Sequence, residues 1–283
     1  MDRLVLLGTK GGPAVYPASA NRMPTSSLLS LKGEQIIVDC GLGVTGRLVQ
    51  AGIDLKGLST MVITHLHSDH YLELGPLLHT AWTAGLRTPV RVIGPNGLAD
   101  YWRAFLRSMA FDIDLRIQDE GRPPLEALVS VDVIADAQSV GDIRLATCRN
   151  NHPPIADSFS LRFETADKAV VFSGDTAPFD AFLPFATNAD ILVHEAMIAE
   201  GVDRLVARVG NGERLKQHLE ASHTDAKKVG QIAKDAGVKQ LALHHLVPSD
   251  DPLISDETWQ EAVRSGGYDC PLHVGRDLLT IAF

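Results

Sequence analysis

Ser59-Thr60-Met61-Val62-Ile63-Thr64-His65-Leu66-His67-Ser68-Asp69-His70 is the stretch on which the reading of this chain turns. Its apolar, β-branched first half is the pattern of a buried strand, and residues 72–85 beyond it read as a helix. Three imidazoles and a carboxylate therefore sit on the turn leaving a strand, where side chains converge. Gathering them is costly unless something positive neutralises them. Imidazole with carboxylate is the donor set of zinc and similar first-row divalent ions.

Further candidates lie at later strand ends. His152 follows the run 143–148 in Asn151-His152-Pro153-Pro154, Asp175 closes Ala169-Val170-Val171-Phe172-Ser173-Gly174, and His245 follows Lys239-Gln240-Leu241-Ala242-Leu243-His244. One end of a sheet could present them all. The order His-x-His-x-Asp-His, continued by these residues along most of the chain, resembles the signature of the metallo-β-lactamase superfamily. The resemblance implies an α/β fold of αββα type, two mixed sheets flanked by helices, with two divalent ions. His65, His67 and His152 would hold one ion, Asp69, His70 and His245 the other, and Asp175 would bridge. His244 is the rival to His245. Adjacent strand residues point to opposite faces, so one of the pair reaches the site, and the family's Leu-Thr-His pattern favours His245. No cysteine lies among these residues, which argues against a thiolate-rich structural zinc site. Zinc is the expected metal, with manganese or iron also compatible.

Composition agrees with a folded domain spanning 1–283. The chain is 45% hydrophobic and 22% charged, which argues against disorder. Cys40, Cys148 and Cys270 are widely spaced and odd in number, and read as small buried residues in a reducing compartment. The opening residues 1–8 read as a first strand and not a signal peptide, and no run approaches the length of a membrane span. A cytoplasmic location is the expectation. Helices are expected near 45–51, 99–110, 224–236 and 256–265. The third carries apolar residues at 226, 229, 232, 233 and 236, with Ser222 and Asp225 as a capping box.

Within the superfamily, the chain resembles the ribonuclease Z and arylsulfatase-like branch. This rests on Leu6-Leu7-Gly8-Thr9-Lys10-Gly11-Gly12-Pro13, Val38-Asp39-Cys40-Gly41, His194-Glu195-Ala196 and Ser222-His223-Thr224. The glycine-rich start lacks the Gly-Lys-Ser/Thr ending of a phosphate loop and reads as a tight turn. The resemblance implies that His223 and Glu195 form a pair protonating the leaving group, and that Asp69 orients the attacking hydroxide. Asp39 is either a carboxylate supporting a ligand imidazole or a structural residue at a strand end.

The resemblance also implies hydrolysis of an ester, and metal chemistry alone does not choose among aryl sulfate, phosphodiester, carboxylic ester and lactone. Ribonuclease Z enzymes carry a tRNA-gripping arm after the ligand matching His152. Residues 153–174 leave room here only for two strands and a turn. The formal net charge of −9 also disfavours a nucleic-acid partner. Arg204, Arg208, Arg214 and Lys216 are interrupted by acids and read as a solvated helix face. A small molecule is the expected partner. The alternatives are a tRNA 3′-processing endonuclease and a binding protein that retains metal without turnover. The segment 196–221 reads as an insertion, either a lid or a subunit contact in a homodimer, on the strength of Leu205, Val206 and Val209 beside Gly210-Asn211-Gly212. The stripe Tyr101, Trp102, Phe105, Leu106 and Met109 reads as core or dimer contact, Met197 as core, and His79, His218 and His273 as surface or hydrogen-bonded core residues.

Overall fold

Leu4 and Leu6 face one way and Val5 and Leu7 the other, as the two-residue period of a strand requires. That alternation repeats across two seven-stranded mixed sheets in the computed structural model, which describes residues 2–17, 22–208 and 212–283. Val209, Gly210 and Asn211 of the expected insertion lie outside the described residues.

The first sheet contains β1 (Arg3–Gly8), β2 (Ser26–Leu31), β3 (Glu34–Val38), β4 (Thr60–Val62), β5 (Val90–Gly94) and β6 (Val129–Val133), and its far edge is the last strand of the chain, β14 (Leu279–Ala282). The second runs β13-β12-β11-β10-β9-β8-β7. Its strands are β7 (Ala137–Val140), β8 (Ile143–Arg149), β9 (Phe159–Glu164), β10 (Ala169–Phe172), β11 (Ile191–Met197), β12 (Leu241–Val247) and β13 (Leu272–Val274). Strands β3 to β6 are parallel, as are β10 to β13, so each parallel half delivers its loops to one edge.

Leu4, Leu29, Ile36 and Val62 of the first sheet meet Leu161, Phe163, Phe172 and Val193 of the second in the seam between them. Outside the first sheet pack α1 (Val44–Gln50), α2 (Ser68–Tyr71), α3 (Leu74–Thr83), α4 (Leu98–Ser108), α5 (Ala110–Glu120) and α6 (Leu125–Leu128). Outside the second pack α7 (Phe182–Ala186), α8 (Ala199–Val206), α9 (Gly212–Ser222), α10 (Ala226–Asp235) and α11 (Asp256–Ser265). The layers are helix, sheet, sheet, helix.

The expected helix over 224–236 is α10, and its apolar positions 226, 229, 232, 233 and 236 are buried. Its expected cap differs. Asp225 alone caps it, accepting from the Lys227 amide, while Ser222 closes α9 and donates its hydroxyl to the Pro153 carbonyl. The stripe from Tyr101 to Met109 packs against the outer core of the first sheet, and Met197 is buried with Val202, Leu219 and Val247. Of the three cysteines only Cys40 is buried. Cys148 is half-buried and Cys270 exposed, correcting the expectation of three core thiols. No helix among the described residues is long and apolar enough to cross a membrane.

Candidate metal centre

The strand β4 ends at Val62, and the next residues fold over the sheet edge into the short helix α2, whose first turn holds Asp69 and whose last holds His70. His65, Asp69 and His70 are buried. Asp39, at the end of β3, adopts φ 61° and turns its carboxylate under this loop. It accepts from the Thr64 amide at 2.8 Å, from the Thr64 hydroxyl at 2.9 Å, and from His70 Nδ1 at 2.8 Å. The Thr64 oxygen in turn lies 3.1 Å from His65 Nδ1. With its hydroxyl proton committed to Asp39, that oxygen accepts the His65 Nδ1 proton. The lone pair of His65 therefore resides on Nε2.

The remaining side chains arrive from the second sheet. His152 follows β8, and its Nδ1 donates to the Ser222 carbonyl at 3.1 Å, leaving Nε2 3.0 Å from His67 Nδ1. Asp175 follows β10, and its Oδ2 is 3.2 Å from His70 Nε2 and 3.0 Å from His245 Nε2. The end of β12 sends the two neighbouring histidines to different places. His245 is an extra residue in the pairing with β11 and takes φ 43°. This bulge swings its ring onto Asp69, at 3.2 Å, and Asp175. His244 pairs with Glu195 in register, and neither of its ring nitrogens has a hydrogen-bond partner among the described residues. Burial lowers its pKa to about 3, which keeps it neutral.

These seven residues form two sets of donors, each with its ligand atoms within 4.8 Å of one another, and Glu195, His223 and His245 form a third such group beside them. Of the two sets, the first is His65, His67, His152 and Asp175, and the second is Asp69, His70, Asp175 and His245. Asp175 belongs to both. The sequence-derived set of seven is thus brought together whole.

The electrostatics fit divalent cations. Burial holds His65 well below the usual imidazole range, lowers His67, and takes His152 to about 4. These three rings present lone pairs, not protons. His65 Nε2 and Asp175 Oδ1 are buried without hydrogen-bond partners, and His65 Nε2 faces Asp175 Oδ2 at 3.7 Å. Two acceptors facing each other in a buried site call for a cation between them. In the second set, burial is the largest single influence and opposes charge on His70 and His245, but Asp175 and Asp69, joined at His70 by Asp39, together outweigh it. His70 rises well above the usual range and His245 to about 10. Burial likewise opposes charge on Asp69 and Asp175, yet the two imidazoles hold both below the usual carboxylate range.

Glu195, on β11, accepts from the Thr176 and Thr224 amides through Oε1, while Oε2 lies 3.3 Å from His223 Nδ1. The His223 ring stacks on His245 with centroids 5.3 Å apart. The opening glycines do more than turn the chain. Gly12 donates its amide to Asp69 Oδ2 at 2.8 Å, and the Gly11 amide donates to the Leu246 carbonyl. A Cβ on Gly11 would lie 2.9 Å from the His245 ring. Lys10, nearly buried, donates to the carbonyls of Gly11 and Gly12.

A cavity of about 320 Å³ opens over this cluster. Asp69, Asp175, His223 and His245 form its floor, with Tyr16, Leu205, Leu215, His218 and Leu219 among its walls. The inserted helices α8 and α9 therefore form one side of the site. Sequence reading treated His218 as a surface or core histidine, whereas its ring stands 5.9 Å from that of His67 and 6.1 Å from that of His152. A signal was available in its placement one helical turn before Ser222-His223.

Fold and site together define a metallo-β-lactamase-fold hydrolase of ribonuclease Z-like type. The particular family follows from the sequence, and the chain belongs to the one described as Anti-Pycsar protein Apyc1, whose family model matches residues 3–219. The chain is also 34% identical over 284 residues to the protein named Ribonuclease Z of Mycobacterium sp. (strain KMS), covering 98% of this chain and 95% of that one. Among solved structures, it is similar to the metallo-beta-lactamase fold protein YhfI from Bacillus subtilis, with a TM-score of 0.72 and 19% identity over all of both chains. The short form of human tRNase Z matches with a TM-score of 0.68 and 19% identity, covering 99% of this chain and 98% of that one. These structural likenesses bear on the fold.

Proposed function

We propose that the protein is a di-metal phosphodiesterase acting on a small diester. The observation that carries this reading is the convergence of seven imidazole and carboxylate side chains into two donor sets sharing Asp175. His65, His67, His152 and Asp175 would hold one ion, and Asp69, His70, His245 and Asp175 the other, with zinc the metal best suited to these donors. Such ions, when bound, supply Lewis-acid charge and lower the pKa of water enough to generate a nucleophile near neutral pH.

The protein's own groups account for the rest. Asp69, fixed by the Gly12 amide, orients the attacking oxygen and accepts its proton. His223, with Nδ1 at an ion-pair distance of 3.3 Å from Glu195 Oε2, lines the cavity and would deliver a proton from Nε2 to the departing alkoxide as general acid. Glu195, held by two backbone amides, steadies the charged imidazole. Lys10 contributes a positive charge at the cavity wall beside an anionic substrate.

Phosphorus is favoured over sulfur and carbon because the curated relatives are named ribonucleases, and a ribonuclease acts on a phosphodiester. A small diester is favoured over RNA by the cavity and by charge. Residues 153–174 contain only β9, β10 and their connections. Arg204, Arg208 and Lys216 are paired with Asp251, Asp250 and Asp203, so this side of the cavity presents no basic track for a polyanion. The second reading, endonucleolytic processing of tRNA, draws on the same relatives' name.

The deciding assay sets zinc- or manganese-loaded protein against bis(p-nitrophenyl) phosphate, p-nitrophenyl sulfate, p-nitrophenyl acetate and a precursor tRNA. Diester cleavage that Asp69→Ala abolishes, with the tRNA intact, supports the proposal. Efficient tRNA cleavage supports the second reading, and silence on all four by fully metallated protein defeats both.

A further inference from the structure

The site's chemistry leaves one cavity histidine unused. His218 lies on α9, half-buried, with its ring among those of His67, His152 and His223, the last 6.3 Å away. It is not a member of either donor set. Its tautomer, however, is fixed by a chain of hydrogen bonds. The Ser222 hydroxyl donates to the Pro153 carbonyl at 2.8 Å, so its oxygen is left as an acceptor. His218 Nδ1 lies 3.3 Å from that oxygen, one helical turn earlier on the same helix, and must carry the proton. Nδ1 is thereby turned back along α9, and the opposite edge of the ring is the one presented to the cavity. Nε2 on that edge has a lone pair and no hydrogen-bond partner among the described residues.

Ser222 serves two rings at once. Its carbonyl accepts the Nδ1 proton of His152 and its hydroxyl accepts that of His218. The acceptor edge of His218 is therefore held in a fixed relation to the metal cluster. Leu205, Leu215 and Leu219, which line the same cavity, offer no polar group of their own. A desolvated acceptor that no protein group satisfies selects for a donor, because a ligand without one strips water from Nε2 and returns nothing.

We propose that His218 is a specificity-determining residue whose Nε2 accepts a hydrogen bond from a hydroxyl on the retained part of the substrate. This rests on the phosphodiesterase reading above.

The test compares kcat/KM for two probes, the p-nitrophenyl ester of uridine 5′-phosphate and its 2′,3′-dideoxy counterpart. Bis(p-nitrophenyl) phosphate, which has no donor, runs beside them. Metal-loaded wild-type protein should prefer the hydroxyl-bearing ester about tenfold, equivalent to ~1.4 kcal/mol. His218→Ala should bring the ratio to about one, and His218→Gln, which can place an amide oxygen near the position of Nε2, should restore part of it. A merely structural role would alter both esters alike and leave the ratio where it was. Cleavage of bis(p-nitrophenyl) phosphate with a wild-type ratio of one, with neither uridine ester cleaved, or with a ratio that survives His218→Ala, overturns the assignment of His218 alone. No metal-dependent cleavage of any of the three overturns the phosphodiesterase reading, and the His218 proposal with it.

Discussion

Asp39→Asn should weaken metal binding while leaving the fold in place. Asp39 sits at φ 61°, a left-handed conformation that Asn adopts nearly as readily as Asp, so the backbone has no reason to move. What changes is the donor balance around a buried carboxylate that receives two protons from Thr64 and one from His70. An asparagine oxygen can keep the Thr64 amide, but its NH₂ group then faces His70 Nδ1. To avoid donor against donor, His70 must shift its proton to Nε2, the atom 3.2 Å from Asp175 that is needed as a lone pair for the metal. Loss of such a supporting carboxylate typically costs about 10–100-fold in metal affinity, or roughly 1.4–2.7 kcal/mol. Titrating zinc into the metal-free variant against a chromophoric chelator measures this directly. The metal-loaded variant should also melt earlier, since bound ligand stabilises the native state by mass action. An affinity within about threefold of wild type, in a variant that still unfolds cooperatively, would refute the role given to Asp39.

Metal loading should release protons. His70 and His245 have pKa values raised above neutrality, so both are protonated at pH 7 in the metal-free protein and must lose a proton to ligate. About two protons per chain should appear in a weakly buffered titration, and affinity should fall as pH falls; no release, or affinity independent of pH between 6 and 8, contradicts the assignment. Gly11→Ala should displace His245, because its Cβ would lie 2.6 Å from Val247 Cγ2 and 2.9 Å from the His245 ring. Metal analysis should then find one ion bound tightly and the other weakened. His223→Gln should lower kcat by about 10²–10⁴-fold for a diester with an alkyl leaving group, and far less when p-nitrophenolate departs, since that anion leaves without a proton. Equal losses on the two substrates would argue against a general-acid role.

The metal cluster was legible in the sequence because each of its members marks the carboxyl end of a strand or the turn after it. An apolar run announces the strand, and the polar residues in the turn just past it are free to face the edge. His65 to His70, His152 and Asp175 follow that rule. His245 reached the same place by another route. Simple alternation would have put it on the helix side with Leu243, and a bulge at φ 43° returns it to the site. No single-residue pattern announces that bulge. The Ser222–Asp225 box failed for a related reason. Its spacing is right, but the Ser222 hydroxyl is claimed by Pro153, a contact 69 residues away in sequence. His218 is hydrogen-bonded and not a ligand, as expected, but its place at the cavity depends on α9 folding back over the site, which its own neighbours do not encode. The glycine-rich start was likewise read locally as a turn, whereas its amides reach Asp69 and Leu246 across the molecule.

Charge at the site links metal binding to the choice of an anionic substrate. Asp39, Asp69, Asp175 and Glu195 place four buried carboxylates around the cluster, and Lys10 brings a nearly buried ammonium beside them. Without metal, protonated His70 and His245 offset part of this excess, and the cavity floor remains negative. In the proposed two-metal state, exchanging those two protons for two divalent ions would raise the local charge by two units. The net charge of −9 over the whole chain does not work against this. Exposed charges beyond about 8 Å are screened at physiological ionic strength, whereas the buried cluster is screened much less. On the proposed function, an acidic protein would thus hold a phosphodiester only where and when its metals are bound. The same exchange would free Asp69 and Asp175 from the imidazoliums, so one event would prepare the ligands, the base and the anion site together.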